Sequence, residues 1–367
     1  AQAGSAQGAA GAAVGGTPAL KKNGAKIGAV AAAVVVVVML VAGFATNWFG
    51  LAGVQPKEAV EVPAASQGAD EAQGANAADG QSADANESAG DAQGGSQAAA
   101  SVTVKSAVEA YTWDELSQIS AEIGAAGDEA AAVEVAKRYN LCTPEGKLDG
   151  TQVKSVTLAD GTQTTVQIVG FAHDDKTAGG KAGITFIFGD CVGEAPMNST
   201  DTNAGGWEAS QMRAYLNGDW RTQLPQDLDA VIVPVDKLSN NVGETDAVSA
   251  VTTTSDALWL FSLSELAGAV PAGRTGEGYG LFEEGYVDVL DAAGSQYGLF
   301  CDMGVGMGNS ENACLVKTRT DTYAFWWLRT SEPRDGYCFL RVDQHGYTPS
   351  GSDGASCANY MVPGFCI

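Results

Sequence analysis

The chain has 367 residues, of which 44 are Asp or Glu and 20 are Lys or Arg, so its formal net charge at pH 7 is −24. This acidic balance argues against a nucleic-acid-binding protein, because phosphate contacts require clustered Lys and Arg. It also disfavours docking of the folded part on anionic lipid. Residues 1–107 are dominated by Ala, Gly, Gln and Ser. About 260 residues then remain, which is enough for one stable domain and an appendage.

An apolar run near the N-terminus predicts a transmembrane helix. Residues 27–45 are uncharged and almost wholly apolar, and ~20 such residues span the hydrocarbon core of a membrane. Lysines precede the run, so the positive-inside rule places the N-terminus in the cytoplasm and the C-terminal domain outside. We therefore predict a disordered cytoplasmic tail over 1–20, an anchor over 21–50, and a single-pass protein of the cell membrane. A cleaved signal peptide is the alternative.

The next two segments differ sharply in composition. Residues 51–107 repeat Ala, Gly, Gln and acidic residues with almost no aromatic side chain, which predicts a disordered linker. Order resumes at Thr112 and Glu115, whose spacing is that of a capping box. With a second helix cap at Asp128, these residues predict a helical hairpin over 108–150.

Residues 151–367 change to short strands, a few helices and long loops, which predicts an α+β domain with many ordered loops. The turn residues Asp160 and Gly161 separate two β-rich segments and predict a hairpin. The other predicted elements are strands at 184–188, 231–235 and 258–261 and a helix at 208–216.

The chain offers few residues suited to catalysis. It has two histidines, His173 and His345, and lacks a nucleophile elbow, a zinc-protease motif, a P-loop and EF-hand spacing, so we expect no metal and no cofactor. Its seven cysteines include no C-x-x-C pair, and their odd number leaves at least one unpaired if disulfides form. Arg213 and Arg329 lie near aromatic residues and are expected to pair with carboxylates and organise loops. We predict that the protein is not an enzyme.

An ordered series of motifs runs through the C-terminal half. Its members are Gly206-Trp207, Ser210–Asn217, Leu224-Pro225, Ser262–Glu265, Trp326–Arg329 and Val362–Cys366. The series resembles a bacterial surface-protein domain family of unknown function, whose fold is similar to that of C-type lectins and formylglycine-generating enzymes. The resemblance implies a C-type-lectin-like domain in which the two terminal strands pair and late loops contact a ligand. Some relatives are targets of diversity-generating retroelements, which randomise solvent-facing positions in this region.

Two departures narrow what the resemblance implies. The segment Glu332-Pro333-Arg334 lacks the Asn of the calcium-binding Glu-Pro-Asn motif of C-type lectins, and Trp-Asn-Asp is absent. Calcium-dependent sugar binding is therefore not expected. Cys357 and Cys366 lie near the position of the cysteine pair of formylglycine-generating enzymes, but the Arg-rich setting of that pair is missing.

The resulting hypothesis is a membrane-anchored extracellular protein for recognition or adhesion. Its ligand is unknown and is a protein, a glycan or a cell-wall fragment, while residues 27–45 contact the membrane. Tyrosine provides a large contact area at little entropic cost, and polar neighbours add adaptable hydrogen bonds. The predicted ligand contacts are Glu332, Arg334, Asp335, Tyr337, Asp343, Gln344, His345 and Tyr347. Two alternatives stay open: a cysteine-using oxidase of the formylglycine-generating type, and a structural envelope protein.

Overall fold

A computed structural model of the protein describes residues 102–270, 286–308, 312–320, 322–347 and 351–367. All of them belong to one unit, residues 93–367. The described part combines helices with two five-stranded and two two-stranded sheets. The predicted α+β class is therefore confirmed.

The helical hairpin has the predicted caps. Its helices are α1 (Trp113–Gly124) and α2 (Glu129–Arg138). The Thr112 side chain accepts a hydrogen bond from the Glu115 amide, and the Glu115 carboxylate accepts one from the Thr112 amide, which confirms the capping box. The Asp128 side chain caps α2 by accepting a hydrogen bond from the Ala131 amide.

The first five-stranded sheet has the order β1-β2-β3-β14-β7, and all of its neighbours are antiparallel. β1 (Val153–Thr157) and β2 (Gln163–Phe171) form the predicted hairpin. β3 (Ile184–Phe188) lies where the sequence predicts it. β14 (Pro363–Cys366) is inserted between β3 and β7 (Trp259–Leu260).

The hairpin of α1 and α2 packs on this sheet. The Trp113 ring meets Phe186 and Phe365 edge-on, at centroid distances of 5.6 and 6.2 Å. The Ser120 hydroxyl accepts a hydrogen bond from the Ile184 amide at 3.1 Å and donates one to the Ile367 carbonyl. The hairpin therefore shares one core with the strands that follow it.

The second five-stranded sheet has the order β12-β11-β10-β13-β4. Its strands are β4 (Gly193–Ala195), β10 (Trp326–Ser331), β11 (Cys338–Val342), β12 (Ser352–Gly354) and β13 (Asn359–Met361). β10 is buried along its length, because neighbouring side chains point to opposite faces and both faces are covered. The indoles of Trp326 and Trp327 donate to the carbonyls of Leu315 and Ala195 at 3.0 and 2.9 Å.

The remaining elements are short. The strands are β5 (Val235–Asn240), β6 (Val251–Asp256), β8 (Thr318–Arg319) and β9 (Thr322–Tyr323). The helices are α3 (Gly206–Ala209), α4 (Gln211–Asn217), α5 (Gln226–Asp229), α6 (Leu263–Ala267), α7 (Tyr286–Asp291) and α8 (Gly298–Asp302). Single 3₁₀ turns occur at Val108–Ala110, Trp220–Gln223, Val248–Ala250 and Ala313–Leu315.

Some predicted boundaries are wrong. The helix predicted at 208–216 is the pair α3 and α4, because Ser210 is extended and caps α4 by accepting from the Arg213 amide. The strand predicted at 231–235 begins only at Val235, and the preceding Pro234 has no amide proton for a strand ladder.

The structure corrects the prediction of a transmembrane helix and of a single-pass membrane location. Within the described ranges, no helix is long and apolar enough to cross a membrane. The longest of these helices, α1, has 12 residues, or about 18 Å, whereas a spanning helix needs about 20 apolar residues. The run on which the prediction rests, residues 27–45, lies outside the described residues, as do the predicted tail and most of the predicted linker.

Candidate functional site

The eight predicted ligand contacts lie in two loops. We call residues 332–337 the Tyr337 loop and residues 343–347 the Tyr347 loop. The first precedes β11 and the second follows it. A five-residue strand separates them, which corresponds to roughly 16 Å. The two loops therefore belong to different ends of the β10–β11 hairpin and do not form one site.

One buried side chain, Asn203, fixes the Tyr337 loop. Its Nδ2 donates to the carbonyl oxygens of Glu332, Asp335 and Cys338 at 3.0, 2.8 and 2.9 Å. Its backbone amide donates to the Gly336 carbonyl at 2.8 Å. Four carbonyls of one short segment are thus held by a single residue, and the backbone of the loop has little freedom.

Neighbouring segments surround the Tyr337 loop. The Glu244 carboxylate lies against Gly336, since a Cβ added to this glycine would be 2.8 Å from Glu244 Oε2. The Tyr337 carbonyl accepts from the Ala355 amide at 2.8 Å. Asp201 accepts from the amide and the hydroxyl of the serine that follows Ala355. Loops from three other parts of the chain therefore meet at this end of the hairpin.

The Tyr337 side chain projects from this fixed backbone. It is 64% exposed, and Val242 on the adjacent loop is 56% exposed. The Tyr337 amide donates to Asp335 Oδ1 at 2.9 Å, so the residue is held on both sides of its Cα. An exposed aromatic side chain on an ordered backbone is suited to contact a partner at low entropic cost.

Glu332 differs from the other predicted contacts because it is buried. Its Oε2 accepts a hydrogen bond from the Tyr286 hydroxyl of α7 at 2.9 Å. The Arg334 guanidinium lies over the Tyr286 ring at 5.3 Å. Burial raises the pKa of Glu332 above its ordinary value of 4.5. Burial also raises the pKa of Tyr286, and the nearby Glu332 charge adds to this. Glu332 therefore joins the Tyr337 loop to α7 and presents little surface of its own.

The Tyr347 loop is built on a different pattern. Asp343 Oδ1 accepts from the amides of His345 and Tyr347, each at 2.9 Å. Asn312 Nδ2 donates to the carbonyl of the glycine between these two residues at 2.8 Å. Gln344 Nε2 and His345 Nε2 lie 3.1 Å apart. His345 is exposed, while Tyr347 is half-buried, so the loop offers less aromatic surface than the Tyr337 loop.

The strongest electrostatic feature of the described residues is a buried cluster of charged side chains. Lys237 Nζ lies 2.7 Å from Asp174 Oδ1 and 2.5 Å from Glu265 Oε1. The Arg329 guanidinium binds both oxygens of Glu265. The Tyr297 hydroxyl donates to Asp174 at 2.9 Å. The cluster connects five separate segments of the chain.

The carboxylates, the lysine and the arginine of the cluster stay charged at neutral pH, while burial raises the pKa of Tyr297 and keeps its hydroxyl neutral. Burial alone would raise the pKa of Asp174, but the charge of Lys237 holds it well below the ordinary 3.8. Burial likewise opposes the charge on Glu265, and Arg329 and Lys237 still lower its pKa. The two carboxylates raise the pKa of Lys237 against the same penalty. These side chains are buried and bind one another, so they link the segments that carry them.

Arg329 has the loop-organising role that the sequence predicts. The same holds for Arg213, whose Nε lies 2.6 Å from Asp256 Oδ1. The other oxygen of Asp256 accepts from the Trp207 indole at 3.0 Å. Both arginines therefore bind buried carboxylates, as expected.

Sequence reasoning missed the residues that fix this framework, in particular Asn203, Lys237, Asp174 and Tyr297. Glu265 lies in the Ser262–Glu265 motif, whose capping-box spacing was readable. The others carry no local signal, because their partners are distant in sequence.

The cysteines and the metal-ligating groups bear on the oxidase alternative and on a metal site. All seven cysteines are free thiols. Cys357 is exposed, while Cys366 is buried with its Sγ 3.3 Å from Asp174 Oδ2, and burial raises the pKa of its thiol. Among the residues that the structure describes, no group of three or more His, Cys, Asp or Glu is placed to hold a metal ion.

Together these features define an α+β domain that displays ordered loops around a buried ionic cluster. The chain belongs to the family described as a domain of unknown function, DUF6273, whose family model matches residues 182–367. The match covers just over half of the chain and runs from β3 to β14, which are paired strands. No curated protein and no solved structure matches the chain significantly. The predicted link to a domain family of unknown function is confirmed, and the C-type-lectin-like fold stays a prediction.

Proposed function

We propose that the protein is a binding domain that recognises its ligand through the Tyr337 surface. This surface comprises the Tyr337 loop, Val242, Glu244 and the connection 354–357. The observation that carries the proposal is the Asn203 side chain, which binds three carbonyls of the loop that exposes Tyr337. Pre-ordering of a contact loop reduces the entropy lost on binding and so increases affinity.

The distribution of charged groups favours binding over catalysis. The side chains with the strongest mutual electrostatic effects, Asp174, Lys237, Glu265 and Arg329, are all buried. The Tyr337 surface instead combines an exposed aromatic ring with polar loops, a composition typical of recognition surfaces. Its ligand is a protein, a glycan or a cell-wall fragment.

The proposal extends to the fold. We propose a C-type-lectin-like architecture, supported by the antiparallel pairing of β3 with β14 at the two ends of the family match. The display of ordered loops by the late β10–β11 hairpin is a second supporting feature.

A binding screen with a matched control tests the proposal. The full chain is screened on a glycan array, a displayed peptide library and purified peptidoglycan fragments. Tyr337→Ala is expected to weaken each specific interaction by about tenfold to a hundredfold, as for an aromatic residue that dominates an interface. The control is Tyr323→Ala, because Tyr323 is 62% exposed and precedes β10 at the opposite end of the hairpin. Equal binding by Tyr337→Ala and the wild type would disprove the proposal.

A further inference from the structure

Glu332 occupies an unusual position in the Tyr337 loop. Its carbonyl accepts from Asn203, and its amide donates to the Cys338 carbonyl at 3.0 Å, so its backbone is fixed. Its side chain is turned inward to α7, and the residue is only 8% exposed. A titratable group is therefore buried at the contact between the loop and a helix.

The carboxylate has few donors among the described residues. The Tyr286 hydroxyl donates to Oε2 at 2.9 Å, and the Arg334 amide approaches Oε1 at 3.4 Å. The charged or titratable groups that act on it are Tyr286 of α7 and Arg334 and Asp335 of the loop itself. The segment before α3 contributes Asn203, which is neutral. A buried carboxylate satisfied mainly by neutral donors is costly to ionise.

We propose that the Glu332–Tyr286 contact is a pH-sensitive joint that holds the Tyr337 loop on α7 more firmly when Glu332 is protonated. In the closed loop the neutral Glu332 carboxyl accepts a hydrogen bond from the Tyr286 hydroxyl. Because it carries no charge, its burial does not cost the hydration energy of an ion. Opening of the loop exposes Glu332 to water, where the charged form is well solvated. Deprotonation therefore favours opening.

The shift in the pKa of Glu332 has the direction that this geometry requires. Burial raises the pKa of Glu332 in the closed state above 4.5, the value of an exposed glutamate. The closed state then binds the proton more tightly than the open state, so its stability rises as the pH falls. The stability contributed by the buried ionic cluster depends on pH in the opposite direction, because the pKa values of Asp174 and Glu265 are lowered. Mild acid should therefore stabilise the closed loop, while the stability of the rest of the fold does not increase.

The consequence for ligand binding rests on the proposed function. If the Tyr337 surface binds the ligand, a more firmly held loop is better pre-ordered, and affinity increases in mild acid. The pH dependence of the loop can be measured without any ligand. An incorrect pH proposal can therefore be distinguished from an incorrect proposal about ligand binding.

Hydrogen–deuterium exchange on the full chain tests the joint. Exchange is measured between about pH 5 and about pH 7.5 and corrected for the intrinsic exchange rate. Protection of peptides from the Tyr337 loop and α7 is expected to rise severalfold towards acid, because the closed state binds the Glu332 proton more tightly than the open state. Peptides from β3 serve as the internal reference and should show no such rise.

Two variants and one control complete the experiment. Glu332→Gln keeps the shape without the charge, so its protection should be high at both pH values. Tyr286→Phe removes the donor to the charged form, so its pH dependence should exceed that of the wild type. Asp288→Asn changes an exposed carboxylate on α7, outside the Tyr337 surface, and should behave as wild type. Protection of the wild-type loop that is constant or falls towards acid would overturn the proposal, as would a low-protection Glu332→Gln loop.

Discussion

Asp174 and Lys237 form a buried ion pair in which Oδ1 and Nζ lie 2.7 Å apart. Removal of one partner leaves the other charge buried and uncompensated. We expect Asp174→Asn to lower the free energy of unfolding by about 3–5 kcal/mol, measured by urea denaturation. The adjacent Asp175 is exposed and provides the control: Asp175→Asn should leave the urea midpoint unchanged. A small effect of Asp174→Asn would show that the cluster contributes little to stability.

The same cluster predicts how stability depends on pH. The pKa values of Asp174 and Glu265 in the folded protein lie below the ordinary 3.8 and 4.5. The unfolded chain therefore binds protons first as the pH falls, and the stability that these groups contribute is lost in acid. The urea midpoint should be flat above about pH 5 and fall below it. Glu265→Gln should show a lower plateau and a shallower decline. A midpoint that rises below pH 4.5 would contradict this assignment.

Asn203 can be tested by an isosteric change. Asn203→Ala removes the donor to three carbonyls and should cost about 1–3 kcal/mol of unfolding free energy. Asn203→Asp keeps the shape but places a carboxylate oxygen against those carbonyls, so we expect it to be more destabilising than Asn203→Ala. Chemical denaturation measures both effects. Asn241→Asp, at a half-buried asparagine, is the control and should cost less. Wild-type stability of Asn203→Asp would show that the amide does not hold the loop.

Ser120 tests whether the helical hairpin belongs to the core. Its hydroxyl links the Ile184 amide to the Ile367 carbonyl, so Ser120→Ala leaves buried backbone groups without a partner. The expected loss is about 1–3 kcal/mol in the free energy of unfolding, measured in urea. Ser117→Ala lies on the same helix and should have no such cost, because alanine has the higher helix propensity. Similar stability of the two variants would mean that the hairpin is only loosely attached.

Local signals predicted the local parts of this fold. The capping box of Thr112 and Glu115, the cap at Asp128 and the strand 184–188 each follow from residues within a few positions of one another. The contacts that shape the candidate site are different in kind. Asn203 reaches carbonyls more than 120 residues away, and Lys237 joins residues on both sides of it. Single-sequence patterns contain no information about such pairs, because their spacing depends on the topology of the whole chain.

The predicted site shows the same limit. Exposed polar and aromatic residues were found around β11, and Tyr337 is indeed exposed. The sequence did not show that these residues lie at two ends of β11. Residues close in sequence suggest one site, but an extended strand between them places them far apart. The burial of Glu332 was also missed, since its partner Tyr286 precedes it by 46 residues.

The central place of β14 in the first sheet has a consequence for biosynthesis. The strand fills the gap between β3 and β7, and Phe365 packs against Trp113 of α1, which is far from it in sequence. During translation, β3 is synthesised long before its neighbour β14. One edge of the hydrophobic strand β3 therefore stays unpaired until residues 363–366 have been made. Such late closure makes folding slow and exposes the nascent chain to aggregation. We therefore expect the first sheet to close only after β14 has been synthesised.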